Sequence, residues 1–126
     1  MRRAAAPRLA RCPTVEMPQS DRVFRIEERF ERDGAVRLEL IGELDVAVVE
    51  LLASRLRELQ KGGYRVVLDL SQLAFLDSSG IQEILRALGH ARQDGWELEV
   101  EGPLNDSVAW TIDLLGARAF FWPEEG

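Results

Sequence analysis

Residues 68–81 read Leu-Asp-Leu-Ser-Gln-Leu-Ala-Phe-Leu-Asp-Ser-Ser-Gly-Ile, an apolar run that ends in a carboxylate, two adjacent hydroxyls and a glycine. Three chemistries use such residues: nucleophilic attack by a hydroxyl, capping of a helix, and acceptance of a phosphoryl group. The flanking segments place the hydroxyls. Residues 64–70 have β-type composition, and Ile81, Ile84, Leu85 and Leu88 recur at helical spacing, so Asp77-Ser78-Ser79-Gly80 stands where a loop enters a helix. A phosphate on Ser78 would carry about −1.5 to −2 charges and lie over the open N–H groups of that helix, with Asp77 repelling it from the side. Such a change alters the surface potential while disturbing the core little. It would act as a docking switch, because a partner that accepts a neutral hydroxyl would have to accept a desolvated dianion.

Capping is the competing use. Ser79-Gly80-Ile81-Gln82 has the spacing of a capping box, with Ser79 as N-cap and Gln82 reaching back. The two uses are compatible, with Ser79 capping and Ser78 free. Gly80, which costs up to about 1 kcal/mol against Ala inside a helical turn, points to close approach of another backbone.

Nucleophilic catalysis fits poorly. It needs an activating base, and the single histidine, His90, is twelve residues along the same helix, roughly 18 Å from Ser78. The sequence around the hydroxyls is not G-x-S-x-G. No phosphate-binding glycine loop is present, so the chain is not expected to bind ATP, and no cofactor is implied. Cys12 has no second Cys or His at metal-ligand spacing, and Glu97, Glu99 and Glu101, on alternate positions of a strand, read as a solvated face. The chain is therefore expected to bind rather than catalyse, without a metal.

The 126 residues suit one domain. Residues 1–20 hold four Arg against one acid, whereas the remainder has 12 basic and 21 acidic residues, a net charge of −9. So acidic a body is repelled by nucleic acid and by anionic lipid, and favours a basic or Arg-lined protein partner. Pro7, Pro13 and Pro18 make residues 1–20 a poor helix or strand, and no apolar signal core is present, so this segment is expected to be a disordered basic tail preceding a domain over residues 21–126. No apolar stretch is long enough to span a bilayer, and a lone cysteine suits a reducing compartment. A soluble cytoplasmic protein is expected.

Apolar alternation predicts strands over residues 23–30 and 35–44, joined by the Arg32-Asp33-Gly34 turn. Val48, Leu52, Leu56 and Leu59 then predict a first helix, with Asp45 at or next to its N-cap and Gly62-Gly63 as its stop. Residues 64–70 predict a central strand covered on both faces. A second helix to about Arg92 should bury Ile84, Leu85 and Leu88. A strand over residues 96–101, a short helix capped within residues 105–107 and a last strand over residues 119–122 complete the order. Trp96, Trp110 and Trp122 are candidate partner anchors, although Trp110, beside Ile112 and Leu114, is expected in the core. Strand-helix-strand repeats require parallel pairing, giving an α/β domain with a mixed, mostly parallel sheet of four to five strands flanked by about three helices.

Asp77-Ser78-Ser79-Gly80-Ile81, preceded by Val67-Leu68-Asp69-Leu70 and, earlier, by Gly42-Glu43-Leu44-Asp45, resembles the STAS domain of anti-sigma factor antagonists, over roughly residues 23–122. The resemblance implies that Ser78 is the residue phosphorylated by an anti-sigma factor that is itself a serine kinase. It also implies that the unphosphorylated form binds this kinase and frees a sigma factor, and that a serine phosphatase reverses the modification. Asp45 matches the acid that assists kinase binding or phosphorylation; its other reading is a helix cap. Asp45, Asp77, Ser79, Gly80, Ile81 and Gln82 are thus the expected partner-binding residues, and Gln82 departs from the small residue common there in the family. STAS domains also serve as accessory subunits of lipid or anion transport systems and in stress-signalling assemblies, which would use the same junction for docking.

Overall fold

A computed structural model describes residues 15–16 and 23–123. Polar-apolar alternation builds the first hairpin, β2 (Val23–Phe30) and β3 (Val36–Leu44), and the period then changes to that of a helix, α1 (Val49–Lys61). There follow β4 (Val66–Asp69), β5 (Leu73–Leu76), α2 (Ser78–Asp94), β6 (Leu98–Glu101), α3 (Asp106–Leu114) and α4 (Arg118–Phe121). A two-residue strand, β1 (Val15–Glu16), precedes them and pairs antiparallel with β2. The sheet order is β1-β2-β3-β4-β6, with β5 also on β3. The β2–β3 pair is antiparallel, whereas β3–β4, β3–β5 and β4–β6 are parallel, as the strand-helix-strand order demands. β4 lies inside the sheet, between β3 and β6, and the middle strand is β3 rather than the expected β4.

One strand, β3, serves two neighbours in succession. Residues 36–39 pair with β4 and residues 42–44 with β5, the register shifting between Gly42 and Glu43. Gly42 takes φ 102° at this irregularity, a conformation that side chains other than glycine rarely adopt. The bulge re-aims the end of β3 so that Leu44 lies opposite Leu76.

The core lies on one face of the sheet. Phe24, Ile26, Val36, Leu38, Leu40, Val66, Leu68 and Val100, all even-numbered, join Leu52 and Leu56 of α1 and Ile81, Ile84 and Leu88 of α2 in a single buried cluster, with Leu85 packed at its margin. The odd-numbered face departs from the expected two-sided cover. Val67 is buried there, but its partner across the ladder is Arg37, whose guanidinium bonds Glu31, Asp69 and Glu101. A lattice of charges takes the place of a second helical layer. Burial pushes the Asp69 carboxyl up, but hydrogen bonds from Ser71 and Arg37 outweigh it and hold the group below its ordinary value.

Three other expectations change. The segment before Asp77 contains the separate strand β5, which the sequence reading left as part of the junction. Residues 119–122 are not a strand: Ala117 and Phe121 are buried one helical turn apart, and α4 packs against α2. The edge of β6 is met there by a side chain, the Trp122 indole donating to the Val100 carbonyl at 2.8 Å. Of the expected tail, Val15–Glu16 is a strand, and the rest lies outside the described residues.

Glu28 breaks the pattern by carrying a charge on the core side of β2. Its side chain is 3% exposed and is met by Arg55 of α1, itself 14% exposed, in a two-pronged pair. Removing one member of such a pair strands a buried charge. Arg55→Ala should therefore lower stability by about 3–5 kcal/mol in urea denaturation, whereas Arg55→Met combined with Glu28→Leu should recover most of it. Asp69 adds an acid dependence. Because its folded pKa is depressed, its contribution is complete above the ordinary carboxylate value of about 3.9 and disappears as pH falls through the lower folded value. Asp69→Asn should accordingly flatten the loss of stability below about pH 4.

Candidate functional site

Parallel pairing of β3 with β5 brings the two sequence motifs together. Leu44 lies opposite Leu76, and the Asp77 N–H donates to the Leu44 carbonyl at 3.2 Å, so Asp45 and Asp77 leave adjacent strands side by side. Strands in a sheet are about 4.8 Å apart, which places the two acids at one edge of the molecule. Asp45 is 7% exposed. Its carboxylate accepts from the Ala47 N–H at 3.0 Å and its carbonyl from the Val48 N–H at 3.1 Å, closing a tight turn ahead of α1. The N-cap position itself is Val48, which makes no side-chain cap. Asp45 thus shapes the approach to the helix rather than capping it.

The hydroxyl assignments also change. Asp77, extended at φ −102° and ψ −177°, is the N-cap of α2, its carboxylate accepting from the Gly80 N–H at 3.1 Å and its carbonyl from the Ile81 N–H at 3.1 Å. An ionised carboxylate at the positive end of a helix is a stronger acceptor than a hydroxyl, and it takes the position that the Ser79–Gln82 box would need. Ser79 sits half-buried in the first turn, Gln82 is exposed, and Ser78 is exposed at the first helical position. The Ser78 hydroxyl is therefore not needed for capping.

Gly80 and Ile81 are not part of an exposed docking edge. Ile81 is 1% exposed and belongs to the core. Gly80 is buried, and a Cβ there would lie 2.5 Å from Leu76 Cδ1 and 2.9 Å from Leu44 Cγ. The close approach that glycine permits is to these two side chains, not to another backbone. The exposed apolar residues of the segments that meet here are instead Val46, 70% exposed, just after β3, and Phe75, 37% exposed, within β5. Sequence reasoning missed both. The signal was phase: Val46 falls outside the Val48-Leu52-Leu56 stripe, and Phe75 lies between the buried Leu73 and Leu76.

Charge at this edge has one sign. No Lys or Arg occurs in residues 38–54 or 66–85, the two stretches that form it. Arg86, the next basic residue along α2, is engaged with Glu83. A phosphate on Ser78 would find no arginine in these segments to fold against. His90 is exposed toward the other end of α2. Among the described residues, no group of three His, Cys, Asp or Glu is placed to hold a metal ion, and no helix is long and apolar enough to cross a membrane.

Residues 28–119 match the family model described as Mlab, STAS domain. The chain belongs to the STAS domain family. Its α/β fold overlays an anti-sigma factor antagonist from Mycobacterium paratuberculosis with a TM-score of 0.67 at 20% identity, covering 86% of this chain and 88% of that one. The unphosphorylated anti-sigma factor antagonist SpoIIAA overlays with a TM-score of 0.62 at 22% identity, over 78% of this chain and 84% of that one. Mglu overlays over 60% of this chain and 19% of its own length, with a TM-score of 0.52 and 32% identity. No curated protein sequence matches.

The fit at the start of α2 is directly testable. Gly80→Ala should cost about 1–3 kcal/mol, because Leu44 and Leu76 must shift to admit the methyl group. Asp77→Ala should cost about 1 kcal/mol through the lost cap. Urea denaturation of the two variants checks both values, and an unchanged midpoint for Gly80→Ala would contradict the packing.

Proposed function

We propose that this STAS domain is an anti-sigma factor antagonist whose unphosphorylated form binds an anti-sigma factor serine kinase and so releases a sigma factor. Phosphorylation at Ser78 blocks that binding, and a serine phosphatase restores it. The protein acts in the cytoplasm by association, not by catalysis. The observation that carries the reading is the division of labour at the start of α2: Asp77 caps the helix, which leaves the exposed Ser78 hydroxyl available for modification. The structural likeness to two antagonists supports the same reading.

Asp77, Ser79 and Gln82 are the polar groups a partner would meet near Ser78, with Val46 and Phe75 as apolar contacts, while Asp45, expected among the partner-binding residues, is buried and holds the turn beside them. Gly80 and Ile81 act from beneath by fixing the direction of the helix. An edge rich in acids and without basic residues suits a groove lined with Arg or Lys. A dianion on Ser78 would not unfold the helix it begins, since negative charge is favoured at that end. It would instead burden the complex with desolvation of a second, closely packed negative charge beside Asp77.

A second reading, an accessory subunit of a transport or stress-signalling assembly, rests on Val46 and Phe75, which could support docking that does not depend on phosphorylation. One experiment separates the two: incubation with ATP and candidate anti-sigma kinases, location of phosphate by mass spectrometry, and binding of Ser78→Ala and Ser78→Asp to the same kinases. Label on Ser78 is expected, with Ser78→Ala binding like the unaltered chain and Ser78→Asp weakened by at least roughly tenfold, about 1.4 kcal/mol. Label on Ser79 or nowhere, or equal binding of both variants, would overturn the switch.

A further inference from the structure

β6 is the last strand of the sheet and has a ladder on one side only. The Val66 N–H donates to the Glu97 carbonyl at 3.0 Å and the Leu70 N–H to the Glu101 carbonyl at 2.9 Å, so odd-numbered residues of β6 spend their backbone groups on β4. By the alternation of a strand, the N–H and C=O groups of Leu98 and Val100 face outward. The Val100 carbonyl accepts from the Trp122 indole, in keeping with that direction. An open groove of about 680 Å³ runs along this edge, lined by Leu88, Trp96, Leu98, Phe121 and Trp122 on the core side. On the other face of the same strand stand Glu97, Glu99 and Glu101. Glu99 is exposed and makes no ion pair among the described residues, and Glu97, its side chain 71% exposed, meets only Arg65 at 3.4 Å.

We propose that the outer edge of β6 is a docking site for an extended segment of another protein in which basic and apolar residues alternate. Such a segment adds a strand to the sheet: its backbone pairs with Leu98 and with the Val100 N–H, its apolar side chains enter the groove, and its basic side chains fall on the face that carries Glu97 and Glu99. Charge complementarity selects this occupant. A second copy of the chain paired through the same edge would set its own Glu97 and Glu99 against their equivalents, and like charges opposite one another destabilise a strand pair. Trp122 sets the register, because its indole already satisfies the Val100 carbonyl and leaves the Leu98 end of the strand open. The groove meets α2 at Leu88, Ala91 and Arg92, at least ten residues and roughly 15 Å along the helix from Ser78. The two sites can therefore be occupied together.

The probe is a synthetic peptide alternating Arg and Val, titrated into the full chain with backbone amide shifts followed by NMR. A second peptide of the same composition, with its Arg and Val in separate blocks, is the control. The alternating peptide should bind saturably, with the largest changes at Leu98, Glu99, Val100 and the Trp122 indole. Glu99→Lys, which breaks no ion pair and reverses only the attraction of Glu99 for Arg65, should weaken it by roughly fivefold or more, comparable with a surface ion pair of about 1 kcal/mol. Equal binding of the block peptide would reduce the effect to general attraction between charges and overturn the proposal, as would an unchanged affinity for Glu99→Lys. Shifts centred on the exposed Trp110 and Leu114 would move docking to α3 and overturn it too. Dimer formation through β6, or an edge that accepts the peptide only after residues 1–14 are deleted, would identify a second copy or the chain's own segment as the occupant.

Discussion

The contact of Gly80 with Leu44 and Leu76 sets the geometry on which the rest of the site depends. A helix and two strand ends can approach this closely only where no Cβ intervenes, and the space a Cβ would need is already filled by the two leucine side chains. This contact fixes the start of α2 over the ends of β3 and β5. Given that position, Asp77 reaches the Gly80 N–H as a cap, Ser78 points to solvent, and Ile81 drops into the core. The bulge at Gly42 makes the same contact possible from the other side, by steering the last residues of β3 away from β4 and onto β5. Two glycines in the two motifs thus do structural work, and beside one of them Ser78 is exposed.

Charge divides the molecule along similar lines. The core face of the sheet is apolar except for the pairing of Glu28 with Arg55, whereas the other face is a lattice centred on Arg37 with Glu31, Asp69 and Glu101. The Ser78 edge belongs to neither. It has acids without cations, so a charge added there is not absorbed by an internal ion pair and is felt by whatever docks. An exposed pair is worth at most about 1 kcal/mol because water competes for it. A dianion closed inside an interface lacks that compensation, which is how one hydroxyl can control association without altering the fold.

Much of this architecture was legible in the sequence because hydrophobic period and turn residues agree. The β2–β3 hairpin, the stop of α1 at Gly62 and the buried face of α2 follow directly from spacing. The failures have local causes. β5 is four residues long, and only Leu73 and Leu76 of it are buried, three apart, which does not read as a strand. The segment around Phe121 has strand-like composition, but burial of Ala117 and Phe121 one helical turn apart made it α4. Trp110 was expected inside, yet Val108 and Ile112 already fill the buried face of the nine-residue α3 and leave the indole 65% exposed. At the site, Ser78 was found by motif, whereas the sequence reading put the cap on Ser79, and the actual cap turns on one hydrogen bond, from the Gly80 N–H to the Asp77 carboxylate.

The central claim is that phosphorylation of Ser78 changes what the surface presents while the start of α2 stays folded and seated on Leu44 and Leu76. Amide hydrogen exchange of the Ser78-phosphorylated chain against the unmodified one tests it most directly. The account predicts that Gly80, Ile81 and the following amides of α2 keep or gain protection, with differences confined to the residues around Ser78. Loss of protection running through Ile84 and Leu88 would contradict it, because the phosphate would then act by releasing the helix rather than by adding charge to a fixed edge.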